Sequence, residues 1–164
     1  MTKAVTVYLG LGSNMGDRQE NLNKALVLLA QRLKVTVVSS TYDTDPVGNT
    51  EQPRFLNMVC QVSTRLEPGA LLTLAKGIES KLGRVFGKTN SPRPIDIDIL
   101  LYDEHVMETP ELVIPHPAMT QRAFVLVPLT EIAPDLVHPV TGKTIKELLE
   151  DVREKQGVFK WDVI

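Results

Sequence analysis

Apolar and polar positions along the chain follow two different periods, which together predict six core elements. The predicted strands cover residues 5–11, 35–44, 55–66 and 93–102, and the predicted helices cover residues 18–33 and 68–82. In the strand segments apolar side chains tend to alternate with polar ones, so every second residue lies on the same face of a sheet. In the helical segments apolar side chains recur every three or four residues, which gives each helix one apolar stripe.

The order of these elements favours an α+β fold with a ferredoxin-like βαββαβ core, in which helices pack on an antiparallel sheet. After residue 102 we expect a C-terminal extension with a turn, a proline-rich segment over residues 113–117, a hydrophobic run over 124–129 and a short helix over 144–151. A chain of 164 residues, 43% of them hydrophobic, is long enough to form one domain over residues 1–164.

Charge and composition narrow the classes of partner. The formal net charge is -2, which argues against a nucleic-acid or membrane-surface binder, because such proteins usually carry a basic excess. The N-terminal apolar stretch is too short for a signal peptide and no run approaches a membrane span, so we expect a cytoplasmic protein. The single cysteine, Cys60, excludes an intramolecular disulfide, and its strand context predicts a buried thiol.

Two carboxylates interrupt the otherwise apolar strand over residues 93–102. Alternation places Asp96 and Asp98 on one face and Ile95, Ile97, Ile99 and Leu101 on the other. Residues two apart in a strand lie roughly 6.6 Å from each other, so the two carboxylates could flank a pair of cations about 4 Å apart. The strand alone leaves a simpler alternative open, namely the solvated face of an edge strand.

The segment just before this strand favours the functional alternative. Residues 84–93 contain Arg84, Lys88 and Arg93, several turn formers and no acid. Arginines that grip phosphate oxygens beside acids that hold metal ions are the two parts of a phosphoryl-transfer site.

Of the three histidines, His116 lies between two prolines and precedes Arg122, so this pair could face a phosphate. His105 and His138 occupy polar or turn contexts and are predicted to lie at the surface.

The glycine-rich stretches do not form a nucleotide-binding loop. Gly10, Gly12 and Gly16 resemble a dinucleotide fingerprint, but Met15 occupies the position where that motif requires its last glycine. The two Gly-Lys-Thr sequences lack the leading glycine of a P-loop.

Five spaced motifs run in order through almost the whole chain. They are Gly10-Leu-Gly-Ser-Asn-Met-Gly-Asp17, Tyr42-x-Thr44-x-Pro46-Val-Gly48, Gln52-Pro-x-Phe55-Leu-Asn57, Arg93-x-x-Asp96-Ile-Asp98-Ile-Leu100, and Ile114-Pro-His116-Pro-x-Met-x-x-Arg122-Ala-Phe-Val-Leu-x-Pro-Leu129. Together they resemble the 6-hydroxymethyl-7,8-dihydropterin pyrophosphokinase family of folate biosynthesis.

The resemblance implies a single catalytic domain that moves the β,γ-pyrophosphoryl group of ATP onto the pterin hydroxymethyl oxygen and releases AMP. It implies two Mg²⁺ ions per active site, held by Asp96 and Asp98, with Arg84 and Arg93 also catalytic. The implied ATP-binding residues are Lys76, Glu79, Arg84, Arg93, Ile99, His116 and Arg122. The implied pterin-binding residues are Thr44, Asp45, Val47, Phe55, Asn57 and Phe124, with the pterin ring between the two phenylalanines.

Taken singly, several of these residues have plainer explanations. Phe55 and Phe124 could be core aromatics, Asn57 a solvated strand residue, and Lys76 with Glu79 an exposed helix pair. The ordered set of five motifs favours the functional roles.

The sequence also departs from the family. Lys76 stands where the family more often has glutamine, and residues 89–91 are Thr-Asn-Ser where it usually has Arg-Trp-Gly. Phe86 replaces another common arginine. We therefore expect the loop over residues 86–91 to stay open in the free protein, because ordering it costs more entropy than a few exposed contacts return.

Two other functions compete with the transferase. One is a metal-dependent phosphohydrolase, in which the two acids position a water, and the other is a non-enzymatic small-molecule sensor on a ferredoxin-like scaffold. The expected partners are ATP and the hydroxymethyl pterin, with no nucleic acid and no membrane, and the expected state is a monomer or weak oligomer.

Overall fold

A computed structural model describes residues 3–46, 51–84, 92–152 and 157–161. The strands are β1 (Val5–Ser13), β2 (Lys34–Val38), β3 (Tyr42–Thr44), β4 (Phe55–Thr64), β5 (Asp96–Tyr102), β6 (Met107–Glu108), β7 (Val113–Ile114) and β8 (Val158–Lys160). The helices are α1 (Arg18–Ala30), α2 (Pro68–Lys81), α3 (Ala123–Ile132) and α4 (Ile145–Asp151), with a short 3₁₀ turn at Met119–Gln121.

The main sheet is antiparallel and runs in the order β5-β1-β4-β3-β8, with β2 also paired to β4. The fourth strand of the chain therefore lies between the first strand and the second and third strands. This is the split βαβ arrangement of a ferredoxin-like core, so the predicted fold class is confirmed. Strands β6 and β7 form a separate hairpin.

Side-chain alternation in the central strands divides the core into two layers. Val7, Leu9 and Leu11 of β1 face α1 and α2, as do Leu56, Met58, Cys60 and Val62 of β4. The Cys60 thiol is therefore buried, as predicted. The opposite face of the sheet packs, through Tyr8, Val59 and Leu100, against α3 and α4. The C-terminal extension thus supplies a second helical layer that covers part of the other face.

The two core helices begin at the residues that the sequence predicts. The Asp17 carboxylate accepts a hydrogen bond from the backbone N–H of Glu20 at 3.1 Å and caps α1. Pro68 is the first residue of α2, and Gly83, with a φ of 101°, follows its end. Helix α1 stops three residues before the predicted end at 33, although Leu33 is still buried in the core.

The predicted strand over residues 35–44 is wrong, because it is broken into β2 and β3. The break lies at Ser39, whose hydroxyl accepts a hydrogen bond from Val59 N at 2.9 Å and so replaces a ladder carbonyl. The next residue, Ser40, donates its backbone N–H and its hydroxyl to the carboxylate of Glu131 in α3. Side-chain bonding to two different elements thus interrupts the β-branched run.

The alternation predicted for β5 holds as far as Ile99 and then fails. The pairing of β5 with β1 shifts register next to Leu9, and this irregularity places Leu100 and Leu101 together in the layer under α3. Tyr102 returns to the layer under α1 and α2. Leu101 therefore lies on the face opposite to the one predicted.

Helix α3 carries the hydrophobic run predicted over residues 124–129 and contains Pro128 in its interior. Helix α4 begins with a capping box, in which Thr144 and Glu147 bond each other's backbone N–H groups. Within the described ranges no helix is long and apolar enough to cross a lipid bilayer.

Candidate active site

The candidate site lies at the edge of the sheet, around the first residues of strand β5. Two cavities meet there, and the carboxylates of Asp96 and Asp98 line both of them. Strand β5 is an edge strand, which agrees with the alternative that Asp96 and Asp98 simply form a solvated strand face. Its two acids, however, are only partly exposed and face the cavities.

The first cavity, called here the stacking cavity, is bounded by Phe55 and Asn57 of β4 and by Phe124 in the first turn of α3. Asn57 is 9% exposed, and its side-chain amide donates to the Thr44 hydroxyl at 2.6 Å. This bond fixes which way the Asn57 amide presents its oxygen and nitrogen. An aromatic wall with one oriented amide suits a flat ligand that has hydrogen-bonding edges.

Gly12 of β1 keeps the floor of the stacking cavity open. A Cβ at this position would lie 2.5 Å from the Asn57 side-chain oxygen, too close for any other residue to fit without moving Asn57. Gly10 also lines the cavity. Both glycines belong to the first family motif and to the failed dinucleotide fingerprint, and neither pattern predicts that they line a cavity, although glycine inside a strand often marks a close approach to a ligand.

One corner of the stacking cavity is held by the last strand of the sheet. Asp45 lines the cavity and forms an ion pair with Arg54. Arg54 also bonds the Asp43 carboxylate at 3.1 Å and the Gly157 carbonyl at 2.8 Å. Strand β8 pairs with β3 next to this contact, with Phe159 opposite Asp43.

The second cavity, called here the hairpin cavity, lies between α2, β5 and the β6–β7 hairpin. Five of the predicted ATP-binding residues line it, namely Lys76, Glu79, Arg84, Ile99 and His116. The other two, Arg93 and Arg122, line the stacking cavity. His116 is held beside β5 by a backbone hydrogen bond from its N–H to the Leu100 carbonyl at 2.9 Å. Residues 110–113 of the hairpin complete the wall, and no motif in the sequence analysis had singled them out.

Two arginines clamp Asp96. Arg84 donates from Nη1 to Asp96 at 2.5 Å and to Glu79 at 2.9 Å. Arg93 Nε lies 3.5 Å from the other carboxylate oxygen of Asp96, and its guanidinium lies 4.9 Å from the centre of the Phe55 ring. Burial alone would lower the pKa of Arg84, but the carboxylates of Asp96 and Glu79 outweigh it and raise that pKa. The Arg84 guanidinium therefore stays charged at the junction of the cavities.

Asp98 is in a different electrostatic situation. Burial and then the neighbouring Asp96 carboxylate raise its pKa, Arg122 opposes both effects, and the net pKa is about 7. Among the described residues, no group of three or more His, Cys, Asp or Glu side chains could enclose a metal ion. The site thus offers two adjacent carboxylates, and the charged form of Asp98 is disfavoured unless a nearby positive charge compensates it.

Two further groups have shifted pKa values. Burial raises the pKa of Glu79, although its carboxylate accepts a 2.7 Å hydrogen bond from Ile97 N and is close to Arg84. Through this hydrogen bond Glu79 fixes α2 to β5, the strand that carries the two acids.

The pKa of His116 is lowered by burial and then by the charge of Arg122, so this imidazole is predominantly neutral at pH 7.

The structure brings the predicted site residues together, with one exception. Val47 lies outside the described residues, as does the altered loop over 86–91. His138 was predicted to be a surface residue, and this is wrong. It is 4% exposed, because its Nδ1 accepts from the backbone N–H groups of Val140 and Thr141 and so closes a loop. His105 is exposed, as predicted.

Comparison with known proteins agrees with this arrangement. A sequence model of the family 7,8-dihydro-6-hydroxymethylpterin-pyrophosphokinase matches residues 8–134. A 2-amino-4-hydroxy-6-hydroxymethyldihydropteridine pyrophosphokinase of Bacillus subtilis is 45% identical over 92% of this chain and 92% of its own length. The folic acid synthesis protein fol1 of Schizosaccharomyces pombe is 42% identical over 96% of this chain, which corresponds to 22% of that protein.

The fold is similar to that of a solved Plasmodium falciparum HPPK-DHPS crystallised with pterin and p-hydroxybenzoate. The TM-score is 0.74 at 20% sequence identity, over 92% of this chain and 43% of the other. Since the family model spans residues 8–134 and the Bacillus relative matches over nearly its full length, this chain belongs to the 7,8-dihydro-6-hydroxymethylpterin-pyrophosphokinase family.

Proposed function

We propose that this protein transfers a pyrophosphoryl group from ATP to the hydroxymethyl oxygen of 6-hydroxymethyl-7,8-dihydropterin and releases AMP, as a step of folate biosynthesis. The observation that carries this proposal is the pair of cavities that share Asp96 and Asp98. A two-substrate transfer requires neighbouring sites for donor and acceptor, with the charge-handling groups between them.

The stacking cavity is the proposed pterin site. Phe55 and Phe124 supply aromatic surface for the ring, and Asn57, oriented by Thr44, supplies hydrogen bonds to its edge. We assign Asp45 and the neighbouring Val47 to the same edge. A ligand held there presents its substituent toward Asp96, which also lines this cavity.

The hairpin cavity is the proposed ATP site. Lys76, Glu79 and Ile99 form its inner wall, and His116 lies on the side nearest to Arg122, whose charge affects its pKa. In this assignment Arg84, Arg93, His116 and Arg122 bind the phosphate chain. Three guanidinium groups can offset much of the charge of a triphosphate, and their paired N–H donors match phosphate oxygens.

The donor set at the junction fits Mg²⁺. We assign Asp96 and Asp98 as its protein ligands and propose two ions per site, with phosphate oxygens and water completing the coordination. Such a site needs only one or two carboxylates from the protein, because Mg²⁺ in kinases is bound largely through the substrate and water. The bound ions would neutralise charge along the triphosphate.

The side chains then act mainly by position and charge. The pterin hydroxyl gives up its proton to water as its oxygen forms a bond to the β-phosphorus of ATP. The bond between that phosphorus and the α,β-bridging oxygen breaks, and AMP leaves with that oxygen. Arg84 and Arg93 are held at the junction by Asp96, so their positive charge is already in place when negative charge shifts toward the leaving group.

The products test this function. Incubation with ATP, Mg²⁺ and the hydroxymethyl pterin should give AMP and the pterin diphosphate in equal amounts. ADP or free phosphate would instead indicate the phosphohydrolase, and no turnover would indicate the sensor. Family membership supports the transferase over both alternatives.

We further propose that the described residues form one catalytic domain, because both core layers are built on the same sheet. We expect a monomer or weak oligomer that binds no nucleic acid and works in the cytoplasm, where ATP is supplied. Gel filtration and fractionation would test these expectations.

A further inference from the structure

Asn14, directly after β1, is buried and bonds two other segments of the chain. It is 1% exposed. Its Nδ2 donates to the Gln52 side-chain oxygen at 2.8 Å and to the Pro53 carbonyl at 3.2 Å, while its Oδ1 accepts from Arg93 N at 2.8 Å. Both hydrogens of the amide and its oxygen are therefore used, a combination that only an amide of this length provides.

The backbone of Arg93 is bonded to Asn14 on both sides. Besides the bond from Arg93 N to Oδ1, the backbone N–H of Asn14 donates to the Arg93 carbonyl at 3.2 Å. Arg93 lies before β5 rather than within it, so its main chain is not fixed by the sheet ladder. Asn14 holds it instead.

The same amide also fixes the entry to β4. Pro53 lies two residues before Phe55, and the Arg93 guanidinium stacks over the Phe55 ring at 4.9 Å. Asn14 therefore holds the backbones that carry both members of this stack. It lines neither the stacking cavity nor the hairpin cavity, so any effect on the reaction must act through those residues.

We infer that Asn14 is a positioning residue that places the Arg93 guanidinium between Phe55 and Asp96. The inference rests on the proposed role of Arg93 in phosphate binding. A guanidinium displaced by about 1 Å would no longer meet the transferring group, and misplacements of this size can lower rates on the order of 100-fold.

A double-mutant cycle on kcat tests this inference in the full-length enzyme with ATP, Mg²⁺ and the hydroxymethyl pterin. We expect Asn14→Ala to lower kcat on the order of 10- to 100-fold, and to lower it less than about 3-fold when Arg93 is already alanine. Non-additivity of this kind shows that Asn14 acts through Arg93. Equal fold losses in the two backgrounds, or an unchanged kcat in Asn14→Ala alone, would overturn the inference.

Asn21 provides a matched control. Its side chain bonds the Ser13 hydroxyl at 3.3 Å and the Met15 carbonyl at 2.8 Å, so it supports the same turn without touching Arg93. Asn21→Ala should lower the melting temperature and leave kcat near the wild-type value. A loss of kcat equal to that of Asn14→Ala would mean that the turn as a whole matters, which contradicts a specific role for Asn14.

Two measurements separate this inference from the assignment on which it depends. If Arg93→Ala alone leaves kcat unchanged, the proposed role of Arg93 is wrong and the inference falls with it. If Arg93→Ala lowers kcat but the cycle is additive, only the role of Asn14 is wrong. Should Asn14→Ala fail to fold, Asn14→Asp keeps the acceptor for Arg93 N, loses both donors, and enters the same cycle with the same criteria.

Discussion

Replacing Asp98 with asparagine should stabilise the free protein while abolishing its activity. Burial and the Asp96 carboxylate raise the pKa of Asp98, which means that folding disfavours its charged form. The rise from 3.8 to about 7 corresponds to roughly 4 kcal/mol. Because the site is open to solvent on one side, we expect about half of this, ~2 kcal/mol, in the measured free energy of unfolding.

The pH dependence follows from the sign of the shift. A carboxyl whose pKa is raised on folding costs no stability below its ordinary pKa of 3.8, and its cost grows as the pH rises until it levels off above about 7. The stability gained by Asp98→Asn should therefore be near zero at about pH 4 and close to ~2 kcal/mol at about pH 8. Urea titrations of both proteins across this range, without Mg²⁺, measure the difference.

Activity should move in the opposite direction. Asparagine cannot supply the charge that a cation at this junction requires, so turnover should be lost at saturating Mg²⁺. Asp135→Asn, a change at an exposed acid outside both cavities, is the control and should affect neither property. A destabilised Asp98→Asn protein, a stability difference that does not vary with pH, or near-normal kcat would refute the reasoning.

Three further outcomes are expected. Phe55→Ala should weaken pterin binding by about 1 to 3 kcal/mol in calorimetry and leave ATP affinity unchanged, whereas equal losses for both ligands would indicate a structural role. Gly157→Ala should lower the free energy of unfolding by ~1–2 kcal/mol or more, because φ is 80° and a Cβ there collides with the Asp45 carboxylate; an unchanged urea midpoint would contradict this. Burial lowers the pKa of His138 below 6.5, so stability present above pH 6.5 should be lost as the pH falls below it, and His138→Gln should show a smaller loss in the same titration.

Much of the core could be predicted because its signals are local. The alternation in β1 and β4 and the starts of α1 and α2 at residues 18 and 68 depend on neighbouring residues alone, and each lies where the sequence predicts it. The failures depend on distant partners. Ser39 ends β2 by accepting a hydrogen bond from Val59, twenty residues away, and no period in the sequence contains that information.

In the candidate site, too, local features could be predicted from the sequence and features that depend on distant partners could not. The spacing of Asp96 and Asp98 predicted two acids on one face, and the structure confirms that they share one wall. The sequence could not show that this wall separates two cavities, because the second cavity is completed by the β6–β7 hairpin, which lies after the acids in the chain. Burial of His138 was missed for a related reason, since its partners are backbone N–H groups that carry no sequence signature.

The contact between Arg54 and Gly157 has a consequence for the order in which the enzyme assembles. The two residues are 103 positions apart, whereas Arg84 and Asp96 at the junction of the two cavities are only 12 apart. Contacts between distant residues close larger loops and form more slowly. We therefore expect the Arg84–Asp96 ion pair to form early in folding. The corner of the stacking cavity at Asp45 should be completed only when β8 packs against β3. Pulsed hydrogen exchange should therefore show the amides of β5 protected before those of β3, which pairs with β8.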